Sequence, residues 1–332
     1  MRKQPASMTR REAIATGTAL AASFGFAGAR LAFGQKVSDE DDTLVWLDMD
    51  QAALDAAYDQ RAYSPTFDSH LARRTARNEA AMERLPGPLR FAYGDRPIEA
   101  LDVHLSNQTK RPAPIVIYFH GGAWRGGVAN GFAWVAEPFV NAGAHVVIPE
   151  YSHVQDVGED LSVLGGEVRR AVAWVYENAE SFSGDRDRIF VSGHSAGGHL
   201  AAVSATTDWE GEFGLPANLI RGGLIASGMF ELEPVRLSSR SEYVLFTDET
   251  VNDLSPQRHL DHLHAPLLIG YGTLETPEFQ RQSRDFAAAA RTAGKDVELL
   301  VAEGCYHLEV EQTIANPYGL LGKALLDMMK LG

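Results

Sequence analysis

The sequence predicts an α/β fold, with one mostly parallel sheet and helices on both of its faces. Three observations carry this expectation. From about residue 90 onward, apolar runs of strand length alternate with stretches of helical periodicity, the mark of repeated strand–helix–strand units. The run at 114–119 is continuously apolar rather than alternating, as expected of a strand covered on both sides. Each motif able to do chemistry lies just after such a run, where open α/β sheets hold their ligands.

Taken in chain order, residues 1–34 stand apart. Arg10-Arg11 precedes an Ala- and Gly-rich, mildly apolar stretch from Ala13 to Phe33, with small residues for cleavage at Ala27-Gly28-Ala29 and Ala32-Phe33-Gly34. This reads as a twin-arginine export signal, which implies a periplasmic destination and no membrane insertion after its removal. Gly17, Gly25 and Gly28 interrupt the stretch, and it is too weakly apolar for a spanning helix. Residues 35–332 are expected to form a single domain, beginning with an acidic linker at 37–42. Its lead-in, about 47–85, is helical and rich in Ala, Arg and Glu, is broken once at Tyr63-Ser64-Pro65, and is closed by Pro86-Gly87-Pro88. Residues 90–93 and 99–105 read as an antiparallel opening pair. Strands follow at 114–119, 144–148, 188–192, 222–226, 266–270 and 297–302, with helices at 134–142, 161–180, 197–206, 279–292 and 317–329. The stretch 230–265 lacks a clear strand and reads as an excursion near the site.

Composition narrows the function classes. The 332 residues are 45% hydrophobic and 22% charged, enough for a full globular core. A formal net charge of −14 gains nothing from a phosphate backbone or an anionic bilayer, so nucleic acid is not an expected partner. The single cysteine, Cys305, excludes an intramolecular disulfide and a Cys-rich zinc site. His259, His262 and His264 cluster without an i, i+4 pair or an accompanying carboxylate motif, and they read as a loop cluster. No metal or other cofactor is expected. The expected partner is a small-molecule substrate, with a homodimer left open.

Gly193-His194-Ser195-Ala196-Gly197 is a G-x-S-x-G sequence between a strand and a helix, the context in which a serine sits on a strained strand-to-helix turn. Ser195 is therefore the predicted nucleophile, and the fold is the α/β-hydrolase fold. The N-terminus of the following helix brings N–H groups beside Ser195, making Ala196 one oxyanion donor. His120-Gly121-Gly122-Ala123-Trp124 follows the 114–119 strand. Glycines let backbone N–H groups approach a developing oxyanion closely, a contribution of about 3–4 kcal/mol per donor. Gly121 and Gly122 are the other expected donors. No G-K-[ST] follows, which excludes a phosphate loop. His120 reads as ordering the loop and Trp124 as lining the acyl pocket. Phe132 and Trp134 read as further walls, His194 as a substrate contact and His199 as packed.

A serine needs a base, and in this fold the acid and the histidine follow it in that order. His307, after the 297–302 strand, is the only histidine beyond His264 and is the expected base. No aspartate lies between Asp261 and Asp285, so the acid is expected to be a glutamate. Glu275 lies in the loop after 266–270. It is favoured over Glu278, which follows Pro277 and suits the first turn of a helix. The role of Glu275 would be to hold one tautomer of His307 and stabilise the imidazolium. Cys305 reads as small packing.

These residues resemble the kynurenine formamidase (arylformamidase) branch of the α/β-hydrolases. Tyr118-Phe-His-Gly-Gly-Ala-Trp124 looks like that group's H-G-G-x-W segment, and Gly193-His-Ser-Ala-Gly-Gly-His-Leu-Ala201 like its nucleophile elbow. The stretches 227–237 and 276–283, and the lead-in around Tyr58 to Tyr63, are also similar, so the resemblance runs from about residue 45 to the end. It implies metal-free hydrolysis of small acyl groups, such as formyl, from aryl amides or short aryl esters. There are two departures: Glu275 stands where the family carries aspartate, and Glu231 replaces the aspartate of a Gly-x-x-Asp-Leu pattern. The expected reaction is acyl transfer to water through an acyl-serine, on an aryl formamide or similar small amide or carbamate. The alternatives are a short-chain carboxylesterase and, in another class, a non-catalytic ligand receptor on the same fold.

Overall fold

The computed structural model describes residues 43–332 apart from 107 and 109–111; the predicted export signal and the linker at 37–42 lie outside them. The lead-in forms helices α1 (Gln51–Ala57), α2 (Gln60–Tyr63) and α3 (Phe67–Arg84). It breaks at Tyr58-Asp59 as well as at the expected Ser64-Pro65. The reason is local: Asp59 accepts the N–H groups of Arg61 and Ala62, both at 3.0 Å, and so starts a new helix.

Among the described residues the sheet has eight strands: β1 (Leu89–Ala92), β2 (Ala100–His104), β3 (Ala113–Phe119), β4 (His145–Pro149), β5 (Gly184–His194), β6 (Ile220–Ala226), β7 (Leu267–Gly272) and β8 (Val297–Ala302). Their order is β1-β2-β4-β3-β5-β6-β7-β8. The pairs β1/β2 and β2/β4 are antiparallel and the rest are parallel. All eight expected strands are present. The connecting helices are α4 (Ala133–Ala142), α5 (Leu161–Asn178), α6 (Ala196–Ala205), α7 (Trp209–Phe213), α8 (Glu233–Leu237), α9 (Asp248–Asp253), α10 (Pro277–Thr292), α11 (His307–Ile314) and α12 (Leu320–Met328). The excursion at 230–265 holds α8, α9 and short 3-10 turns.

Successive residues of β3 feed two different cores, which is why its sequence is apolar throughout. Ile115, Ile117 and Phe119 join Leu164, Val168 and Leu200 on one face, while Val116 and Tyr118 join Phe132, Trp134 and Val310 on the other. Register then aligns the strand ends. Phe119 pairs with Gly193, His194 with Ala226, Ala226 with Gly270, and Gly272 with Ala302. The loops after β3, β5, β7 and β8 therefore meet at one edge of the sheet, with the expected motifs on them. Sequence reading placed His307 after the 297–302 strand but missed the helix α11 there. The helix starts at His307 itself, and the Glu309 carboxylate accepts the Tyr306 N–H at 2.9 Å to close its first turn. Among the described residues no helix is long and apolar enough to cross a membrane.

Candidate active site

Ser195 occupies the turn between β5 and α6 with φ 59° and ψ −126°, a backbone conformation costing an L-residue about 1–3 kcal/mol. Two contacts hold it there: its N–H donates to the Ala226 carbonyl at 3.0 Å, and its carbonyl accepts from His199 N–H at 2.9 Å. The turn closes only because Gly197 lacks a side chain, since a β-carbon there would lie 2.0 Å from the Phe119 carbonyl oxygen. Ser195 is half-buried at the floor of a cavity of about 690 Å³, which Gly121, Gly122, His194 and His307 also line.

The loop after β3 wraps this floor. Gly122 has φ +135°, and a β-carbon on it would meet the Gly126 carbonyl oxygen at 1.9 Å. An added β-carbon on Gly121 would lie 3.5 Å from Ser195 Cβ. Ala196 is the first residue of α6, where a helix leaves its N–H groups without intrahelical partners. Among the described residues, no backbone acceptor takes the N–H of Gly121, Gly122 or Ala196. His120 orders the loop, as expected. Its ring stacks between Tyr151 and Phe132, its Nδ1 lies 3.1 Å from the Gly121 carbonyl, and the Tyr151 hydroxyl donates to its carbonyl. Burial pushes its pKa down to about 4 and keeps the ring neutral.

His307 and Glu275 form a buried pair. His307 Nδ1 lies 2.5 Å from Glu275 Oε1. Glu275 is fully buried, and its Oε2 accepts the Ser227 hydroxyl at 2.8 Å and the Gly272 N–H at 2.7 Å. The glutamate's extra methylene is absorbed by folding back over its own turn to reach the N–H three residues earlier. Burial opposes charge on either partner, lowering the imidazole's pKa and raising the carboxyl's, and the Arg240 charge lowers the imidazole further. Glu278 is elsewhere: its carboxylate binds Arg281 at 2.6 and 2.8 Å and the Tyr58 hydroxyl at 3.1 Å. The next residue of the acid turn, Thr276, is clamped by the lead-in, donating to the Ala57 carbonyl at 2.6 Å and accepting from Gln60 at 3.0 Å.

The aromatic residues expected to line the pocket do not do so. Trp124 is 1% exposed and outside the cavity wall; its Nε1 donates to His199 Nδ1 at 3.2 Å, and His199 Nε2 reaches the Leu254 carbonyl at 2.8 Å. The indole serves to tie the loop after β3 to α6 and the excursion. Phe132 is held under His120, and Trp134 is buried beneath Arg77. All three are packing residues. The walls are instead Tyr58, Phe67 and Leu71 from the lead-in, Arg240 and Tyr243 from the excursion, and Leu308. The resemblance at Tyr58 to Tyr63 and the expectation that 230–265 lies near the site were the sequence signals for these walls; no motif singled out Arg240.

Among the described residues, the one group of His, Cys, Asp or Glu side chains close enough to hold a metal is His194, Glu275 and His307. Both carboxylate oxygens of this group are already engaged. His259 bonds the Asn252 carbonyl at 2.7 Å, and His262 lies 3.8 Å from Asp208, so the sequence cluster is dispersed over loops. The Cys305 thiol is pushed up by burial and nearby carboxylates, which disfavours the thiolate.

The BD-FAE family model matches residues 101–219. Kynurenine formamidase of Danio rerio is 30% identical over 295 residues, covering 86% of this chain and 98% of its own. Esterase LipC of Mycobacterium tuberculosis is 27% identical over 228 residues, covering 62% of this chain and 55% of its own. Among solved structures, esterase LipW from Mycobacterium marinum superposes with a TM-score of 0.63 at 18% identity, covering 82% of this chain and 89% of its own, a likeness of fold.

Proposed function

The chain belongs to the kynurenine formamidase family of α/β-hydrolases, and on that footing we propose that it removes a small acyl group, such as formyl, from an aryl amide through an acyl-serine intermediate. Family membership makes it a hydrolase rather than the non-catalytic receptor that the fold alone allows. In the proposed cycle Ser195 Oγ attacks the acyl carbon and His307 takes its proton. The carbonyl oxygen becomes an oxyanion facing the Gly121, Gly122 and Ala196 N–H groups. His307 then protonates the departing amine, and water repeats the sequence on the acyl-serine. Glu275 holds Nδ1–H and so leaves Nε2 free as the acceptor.

The observation that carries this reading is the 2.5 Å contact between Glu275 and His307 on the wall of the cavity that exposes Ser195. Burial and the Arg240 charge lower the His307 pKa, so the imidazole is neutral at neutral pH and can accept a proton. The short-chain esterase reading uses the same residues and is favoured by the LipC relationship. Two measurements test the proposal. A fluorophosphonate probe should label the wild type and not Ser195→Ala; equal labelling of both defeats the mechanism. Turnover of an aryl formamide should exceed that of p-nitrophenyl acetate and butyrate, and a strong ester preference would replace the amidase reading with the esterase one. Export is part of the proposal and rests on Arg10-Arg11 and the stretch after them. It predicts that Arg10→Lys/Arg11→Lys retains the full chain in the cytoplasmic fraction.

A further inference from the structure

Four arginines line the cavity above Ser195, although the chain as a whole is strongly acidic. Two of them are paired: Arg61 lies 2.6 Å from Asp68 and Arg74 lies 3.4 Å from Glu311. Arg125 and Arg240 are not, since among the described residues no carboxylate comes within ion-pair distance of either. Among the described residues the one carboxylate on the cavity wall, Asp59, is engaged in capping α2.

Arg240 is 9% exposed. Its Nη1 donates to the Tyr243 hydroxyl at 2.8 Å and its Nη2 to the Tyr58 carbonyl at 3.1 Å, while its buried Nε has no partner. Arg125 lies over the ring of the same Tyr243, 4.1 Å from its centroid. One tyrosine thus joins two guanidinium groups that have no counter-ion among the described residues, in the lining of the cavity that also holds Ser195. Arg125 is exposed, but the buried charge of Arg240 without a counter-ion is unfavourable, and the planar fork of arginine is suited to a carboxylate.

We propose that Arg240 and Arg125 form an anion subsite that couples the substrate's charge to the base: a carboxylate docked there anchors the substrate and offsets the repulsion that Arg240 exerts on a positive charge at His307. This deepens the function proposed above and rests on His307 being the base. As Ser195 attacks, His307 gains a proton and a charge on the wall of the cavity that Arg240 also lines. An anion on Arg240 stabilises that state more than the ground state, so the advantage of an anionic substrate enters kcat as well as KM.

The test compares 4-acetoxybenzoate with its methyl ester, which share a scissile bond and differ in charge. Wild type is expected to favour the anion by about tenfold or more in kcat/KM, part of it in kcat, with the preference shrinking as salt rises. In Arg240→Gln the ratio of the two substrates should fall toward one, and Arg240→Lys should restore part of it. A purely structural Arg240 would lower both substrates by the same factor; an unchanged ratio overturns the proposal. Should Arg240→Gln not fold, Arg125→Gln and the binding of benzoate against benzamide to the wild type decide, and equal binding of those two overturns it. Methyl ester turnover with Ser195 labelling, but no charge preference, sinks the subsite alone. Loss of labelling and of both turnovers sinks the catalytic reading, and the subsite's coupling with it.

Discussion

Replacing Glu275 with glutamine separates the proposed acid from its neighbours with little change in shape. Two donors, Ser227 Oγ and Gly272 N–H, point at Oε2. The amide oxygen must stay there, which turns the amide nitrogen toward His307 Nδ1. That nitrogen can only donate, so Nδ1 must accept, and the imidazole proton moves to Nε2, the atom needed to receive the serine proton. The same tautomer inversion in a serine protease triad lowers kcat by about 10⁴, or roughly 5 kcal/mol. Stability should move the other way. The folded-state pKa of Glu275 is raised by burial, so its ionisation destabilises the fold as pH rises above the ordinary carboxyl range. A neutral glutamine removes that term, and the melting temperature at pH 8 should be unchanged or higher. The assay is steady-state hydrolysis of an aryl ester together with thermal melts of wild type, Glu275→Gln and Glu278→Gln. Glu278→Gln should do the reverse, losing stability through Arg281 and Tyr58 while keeping most activity. If Glu275→Gln kept more than about a tenth of wild-type kcat, or Glu278→Gln carried the large loss, the assignment of the acid would be wrong.

Three further outcomes follow from the same geometry. Gly122→Ala puts a β-carbon 1.9 Å from a carbonyl oxygen at φ +135°, so the loop must move; kcat should drop by about 10²–10³, as for loss of one oxyanion donor, with KM little changed. Trp124→Phe removes the donor to buried His199 and should lower stability by about 1–3 kcal/mol in denaturant melts. If it instead changed KM with no loss of stability, Trp124 would belong to the pocket wall after all. His120, His194 and His199 are each pushed down to about 4, chiefly by burial. Because they are neutral when folded and titrate near 6.5 when unfolded, the unfolded chain takes up more protons below that pH. Stability should therefore fall as pH drops from about 6.5 toward 4, by on the order of 1–2 kcal/mol per histidine between pH 7 and 5; a melting temperature flat over that range contradicts the burial argument.

What the sequence by itself determined were the features set by local sterics and by burial on both faces. The eight strands were legible because a strand such as β3, feeding a core on each side, has no place for a polar residue. The Ser195 turn was legible because its demand for glycine is met within five positions, where a β-carbon has no room. Glu275 was reached by elimination within one loop. Tertiary structure decided what depended on distant side chains. An indole after H-G-G can face the cavity or the core, and Trp124 faces the core because His199, 75 positions away, presents an acceptor for its N–H. The walls over Ser195 come from the lead-in and the excursion, whose sequences carry no period that reveals what they cover. Arg240 is set apart by the absence of a carboxylate near it among the described residues, and a lack of neighbours leaves no trace in the order of residues along a chain.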